Sequence, residues 1–348
     1  MFLASFEMPV FATAKAGQIP ESAEKFFLAA TPFLTELDRF FWEQRLEFEP
    51  ELRDLVDYAL AHSGKRLRPI ALFLTGESED AGFSDKMIRA AAVIELVHLA
   101  TLVHDDILDS ADIRHKQETV SRKFGIPAAV LLGDALFAHS LQLASRFQTT
   151  EVCRLVSEAT RKICAGEIEQ TLDLSNSSSG IERYFRIIER KTAVLFEVSC
   201  RLGALLGAPG PQLADAAGSF GRHLGIAYQI YDDLIDVIGS EKLIGKTLGT
   251  DLASGKRTLP FLLLFDEMGD AEKKQLLSEG SAPEGIDPGD LMFERGIVAR
   301  VRGYFDVEIK KAKAAAEILG EEKGNSRLLD LSTFIENRFG SLLNERVR

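Results

Sequence analysis

Cysteine is scarce in this 348-residue chain: Cys153, Cys164 and Cys200 are an odd three with no CxxC or CxxH spacing. That excludes a disulfide framework and a thiolate metal site, and suits small buried hydrophobes in a reducing compartment. Long apolar runs are also missing. None approaches twenty residues without a charge, so the sequence predicts no transmembrane helix. Cations are outnumbered, with 41 Lys and Arg against 53 Asp and Glu, and the net charge of −12 argues against nucleic acid or an anionic membrane surface as the main partner. No stretch alternates with the period of a half-buried strand. The opening MFLASFEMPVFATAKA lacks a basic leader and carries Glu7 inside its apolar part, so residues 1–20 read as an N-terminal extension rather than a secretory signal, and the expected location is cytoplasmic.

What the chain does have is apolar residues at helical spacing. Phe26, Phe27, Ala30, Phe33, Leu34, Leu37, Phe40 and Phe41 form one stripe over Glu21–Gln44. Ser84 is placed to cap a long helix over Asp85–Asp109, Asp287-Pro288 to open another, and helices are expected over 126–147, 151–174, 181–206, 212–239, 292–319 and 326–343. SNSSSG at 175–180 is too short for a domain linker. The reading is all-α, one domain over 21–348, a bundle of long helices around a central cavity.

Two of those helices end in acid. VIELVHLATLVHDDILDSAD (93–112) carries Asp105, Asp106 and Asp109, and AYQIYDDLIDVIG (227–239) repeats the D-D-x-x-D spacing with Asp232, Asp233 and Asp236. Positions i and i+4 share a helix face, so Asp105 and Asp109 point the same way. Clustered carboxylates repel and are costly to bury, so something cationic belongs among them. Oxygen-only ligands suit a hard ion such as Mg²⁺, which keeps waters and takes substrate phosphates as its remaining ligands. A lone cluster of this kind is usually a solvated face. Two matching ones, facing each other across a bundle, would form a cage for several Mg²⁺ ions and a diphosphate.

Cations sit at fixed places around them. Gly64-Lys65-Arg66-Leu67-Arg68-Pro69 is either a helix end whose charge complements the dipole or an anion site. His98 lies two turns before Asp105, on its face. Arg114 follows the first acid block, Lys191-Thr192 sits mid-helix, and Lys246 and Lys256 lie in a glycine-rich stretch after the second block that has no Walker pattern.

Six motifs occur in order: GKRLRP at 64–69, HLATLVHDDILD at 98–109, GEIEQ at 166–170, KTA at 191–193, YQIYDDLID at 228–236 and GKTLGTDLASGKRTLP at 245–260. Together they resemble the trans-isoprenyl (polyprenyl) diphosphate synthase family over nearly the whole chain. The resemblance implies a homodimer that condenses isopentenyl diphosphate with an allylic diphosphate, 1′-4 and all-trans, using about three Mg²⁺ per site, with transient membrane contact for release of a lipid product. It implies Mg²⁺ on Asp105, Asp109 and Asp232, with Asp106, Asp233 and Asp236 acting indirectly. It assigns isopentenyl diphosphate to Lys65, Arg68 and His98, and the allylic diphosphate to Arg114, Lys191, Lys246 and Lys256, with Thr192 and Gln229 beside the developing cation. One position departs: where the family usually has a second arginine after the first acid block, this chain has His115, which offers one donor and no fixed charge when neutral. Ala100 and Thr101, the fifth and fourth residues before Asp105, are small where short-chain members carry aromatics. A product longer than farnesyl (C15) is therefore expected, with Phe137 as a candidate floor. The alternatives are a class I terpene synthase or cyclase, which needs no second diphosphate site, and a non-catalytic subunit of a heteromeric synthase, which commonly loses its acid blocks.

Overall fold

The computed structural model describes residues 21–61, 64–77, 82–114, 117–172, 180–240, 248–279, 287–323 and 327–346. Helix α1 (Glu21–Gln44) buries Phe26, Ala30, Phe33, Leu34, Leu37 and Phe41, one face of a 3.6-residue repeat. After α2 (Arg53–Ala61) and α3 (Leu67–Gly76) comes α4 (Asp85–Leu108), where Ser84 accepts a hydrogen bond from the Met87 amide as its N-cap. Helices α5 (Val120–Phe124), α6 (Ile126–Ser145) and α7 (Glu151–Leu172) follow. Next are α8 (Ile181–Ile188) and α9 (Val194–Leu206), joined through a π-helical turn at Glu189–Ala193, and then α10 (Ala214–Ile238). The remainder is α11 (Thr250–Ala253), α12 (Leu259–Asp266), α13 (Asp270–Glu279), α14 (Pro288–Glu294), α15 (Ile297–Lys323) and α16 (Arg327–Arg346).

Two helices are buried on most sides. α4 lies against α1, α3, α6 and α9; α10 lies against α9, α12, α15 and α16. Because α9 touches both, it holds the two acid-bearing helices in one layer of the bundle. Each acid block falls at the C-terminal end of its helix, where the macrodipole is already negative. Carboxylates there gain nothing from the helix and need cations from elsewhere.

The structure departs from the sequence reading in small ways. A two-residue antiparallel ribbon pairs Ile113 with Glu118 and Arg114 with Gln117, too short to show an alternating pattern. The expected helix over 292–319 is broken at Gly296, whose φ of 68° is left-handed, giving α14 and α15. α4 and α6 are each long and apolar enough to cross a bilayer, against the expectation of none. α4 passes that test because core helices are apolar all round. α6 instead leaves Ile126, Val130, Leu131 and Leu141 exposed.

Candidate active site

Lys191 is the hub of the first acid block. Its ammonium pairs with Glu167 and, at 3.8 Å, with Asp105, and it donates to Gln170 Oε1 at 3.0 Å. Glu167 and Gln170 are a turn apart on α7, which comes close to the π turn because Gly166 has no Cβ: one built there would lie 3.1 Å from the Lys191 backbone nitrogen. Burial raises the Asp105 carboxyl to about 6; Lys191 opposes this, while Glu167 and Asp109 add to it. Burial would lower the Lys191 ammonium, but Asp105, Glu167 and Asp109 overcome it and hold it above its ordinary range. Asp109 pairs with Lys256 at 2.7 Å. Asp106 turns aside to the Arg114 Nε at 2.6 Å.

The second block divides its labour. Asp233 accepts from the Tyr184 hydroxyl at 2.6 Å and from Gln229 Nε2 at 2.7 Å; Gln229 Oε1 in turn accepts from the Thr192 hydroxyl at 2.6 Å. Asp236 accepts from Thr250 Oγ1 at 3.1 Å and from the Asp251 amide at 3.0 Å, and its carbonyl from the Gly249 amide at 2.9 Å. These bonds fasten the segment that delivers Lys256, whose ammonium lies between Asp109 and Asp251. Asp232 acts electrostatically on Arg114, Lys65 and Tyr184. The half-buried Arg114 guanidinium is held charged against desolvation by Asp106, Asp105 and Asp232. The two acid blocks, 127 residues apart in sequence (232 − 105), therefore both act on one arginine, with which Asp106 alone pairs among the described residues.

Polyprenyl synthetase is the family whose profile matches residues 49–284. The chain belongs to that family. It is 31% identical over 309 residues to an octaprenyl diphosphate synthase of Haemophilus influenzae, covering 87% of this chain and 93% of the relative. It is 34% identical over 239 residues to heptaprenyl diphosphate synthase component 2 of Bacillus subtilis, covering 69% and 68%. Among solved structures, polyprenyl synthase from Caulobacter crescentus, complexed with calcium and isoprenyl diphosphate, superposes with a TM-score of 0.80 at 26% identity, over 91% of this chain and 97% of that one.

In this polyprenyl synthetase the basic corner is a second, separate charge cluster. Arg66 occupies a left-handed conformation (φ 50°), which a non-glycine residue holds only at a cost. Its guanidinium turns away to Asp38 on α1 at 2.9 Å. Lys65, before it, is exposed, and Arg68 stands in the first turn of α3. Arg68 donates from Nη1 to His98 Nε2 at 3.0 Å, so that imidazole is neutral with its proton on Nδ1. Among the described residues the buried Arg68 Nε has no hydrogen-bond partner, and neither has the buried Glu95 Oε2. Burial lowers the Lys65 ammonium to about 8; Arg338 on α16 lowers it further and Asp232 opposes.

His115 and Lys246 lie outside the described residues. Ala100 is fully buried, whereas Thr101, on the Asp105 face, is half-buried and donates to the His98 carbonyl at 2.7 Å. Phe137 packs on His104, next to the first acid block, with ring centroids 6.0 Å apart. The sequence reading named neither Tyr184, Glu167, Gln170 and Asp251 nor Arg338 as site residues. GEIEQ and Lys191 were each visible, but their pairing was not, and nothing local marks a tyrosine 49 residues before its aspartate.

No three carboxylates or imidazoles among the described residues are grouped closely enough to hold a metal by themselves. Magnesium is bound through one or two carboxylates, with substrate phosphates completing its shell. Asp105, Asp109 and Asp232 are anionic oxygen donors now balanced by lysines and Arg114, the donor set such an ion requires.

Proposed function

We propose that this chain is a trans-polyprenyl diphosphate synthase, a transferase that condenses isopentenyl diphosphate with an allylic diphosphate, 1′-4, to give a product longer than C15. The observation that carries this is the pairing of two charge clusters on one bundle. One holds two aspartate blocks with Arg114, Lys191 and Lys256; the other holds Lys65, Arg68 and His98 with a buried guanidinium nitrogen lacking an acceptor among the described residues. A terpene cyclase has no use for the second cluster, and a non-catalytic subunit has none for the first.

The allylic diphosphate binds at the first cluster, against Arg114, Lys191, Lys246 and Lys256. Asp105, Asp109 and Asp232 would hold Mg²⁺, about three ions shared with the diphosphate. Bound magnesium supplies neutralisation of the leaving diphosphate's charge. Lys191 and Arg114 add fixed positive charge where the leaving oxygens become more negative, and a buried site makes that attraction strong. Thr192 and Gln229 present oxygens to the allylic carbon without acting as nucleophiles. Lys65, Arg68 and His98 hold isopentenyl diphosphate, with His115 as a weaker neighbour, so that its double bond meets the allylic carbon in line. The small, half-buried Thr101 leaves room for a long chain.

The exposed apolar face of α6, with Ile126, Val130, Leu131 and Leu141, supports assembly as a homodimer. Leu131→Glu then yields monomers in sedimentation velocity, and an unshifted species overturns that assembly. The activity is tested by incubating the full chain with labelled isopentenyl diphosphate, Mg²⁺ and geranyl, farnesyl or geranylgeranyl diphosphate. Products longer than C15 are expected; no elongation of any primer refutes the reading.

A further inference from the structure

Three segments meet at one chain of hydrogen bonds: α8 with Tyr184, the π turn with Thr192, and α10 with Gln229 and Asp233. The bonds run Tyr184 hydroxyl to Asp233 Oδ2 (2.6 Å), Gln229 Nε2 to Asp233 Oδ1 (2.7 Å) and Thr192 hydroxyl to Gln229 Oε1 (2.6 Å). Their direction follows from chemistry. A carboxylate can only accept, so both groups facing Asp233 must donate. The amide of Gln229 must turn its NH₂ toward Asp233, which leaves its oxygen toward Thr192. An amide oxygen has no proton to give, so the Thr192 hydroxyl donates, and its hydrogen is committed. What remains for any other neighbour is a pair of lone pairs.

Turned the other way, Thr192 would present a partial positive charge to an electron-deficient carbon. The first link sets which way the chain runs. Tyr184 is 5% exposed, and its ring is fixed by an edge-on contact with Phe185 at 5.4 Å, so its hydroxyl arrives preplaced. Without it, Asp233 Oδ2 loses its one donor among those seen here, and the carboxylate is free to rotate and release Gln229. Asp233 is 5% exposed and cannot turn to bulk water instead.

We propose that Tyr184 is a positioning residue for prenyl transfer: through Asp233 and Gln229 it commits the Thr192 proton and leaves the Thr192 oxygen to face the carbon where positive charge develops. The inference rests on the prenyltransferase reading above and adds a member to its machinery that touches no substrate.

The test is Tyr184→Phe in the full chain, which keeps the ring and removes the donor. We expect kcat to fall roughly tenfold, the order of one charge-assisted hydrogen bond. KM for both substrates should stay within about twofold, because the ground states do not use the dipole. Thermal melting shows that the variant folds. Thr192→Val should slow the enzyme at least as much, and the double variant should be no slower than Thr192→Val alone, since both changes remove one relay. Additive losses, a raised KM for either substrate, or an unchanged kcat in Tyr184→Phe overturn the proposal. A wild-type chain that elongates no primer refutes the prenyltransferase reading and this inference together; an active wild type with an indifferent Tyr184→Phe refutes this inference alone.

Discussion

Lys65 should make binding of isopentenyl diphosphate fail in mild alkali. Burial, with Arg338 nearby, lowers its ammonium from 10.5 to about 8. A Lys held below its unfolded value costs stability while it is charged. Lys65 is exposed, so solvent screens much of that cost, and what remains fades as pH climbs from 8 to 10.5. A diphosphate beside it offsets that cost, so the ligand binds best to the charged form. With a pKa of about 8, roughly nine in ten molecules are charged at pH 7 and roughly one in ten at pH 9. KM for isopentenyl diphosphate is therefore expected to be flat to about pH 7.5, to rise about tenfold by pH 9, and to level off once the lysine contact is gone and arginine alone remains. Magnesium on Asp232 would cancel the one attraction that holds the ammonium up and move the break lower. The assay is initial rate against isopentenyl diphosphate concentration at saturating allylic diphosphate and Mg²⁺, from about pH 6.5 to 9.5. Lys65→Arg, which stays charged throughout, should flatten the profile. A wild-type KM that does not change above pH 8, or a break that persists in Lys65→Arg, refutes the reasoning.

Asp236→Ala should cut the ties to Thr250 and Asp251 and so loosen Lys256, raising the KM for the allylic substrate roughly tenfold while leaving that for isopentenyl diphosphate alone; equal effects on both would contradict the assignment. Thr101→Phe is expected to shorten the product, read by chromatography of the dephosphorylated chains; it is a cleaner probe than Ala100→Phe, because Ala100 is fully packed and a ring there would strain the core. His115→Arg should lower the KM for isopentenyl diphosphate by restoring a fixed charge, and a KM that stays or rises counts against a role for that position.

The helices and their boundaries were legible because burial imposes a 3.6-residue repeat on the chain: α1 and the cap at Ser84 fall where the apolar spacing and the serine put them. The two aspartate blocks were legible for the opposite reason, since three carboxylates closing an apolar helix have no account in packing alone. Less could be read of how the charges pair. In the sequence Lys191 is a cation in mid-helix with no evident partner until α7 sets Glu167 beside it, and Arg66 is one of three cations in the basic corner until its left-handed backbone turns it to Asp38. The division of the second block, with Asp233 spent on Gln229 and Tyr184 and Asp236 on the Lys256 segment, depends on hydrogen bonds across 4 to 49 residues. Sequence alone set which residues could carry charge into the core. Tertiary structure decided which of those charges are already balanced by neighbours, because pairing depends on distances of a few ångströms that the order of residues does not contain.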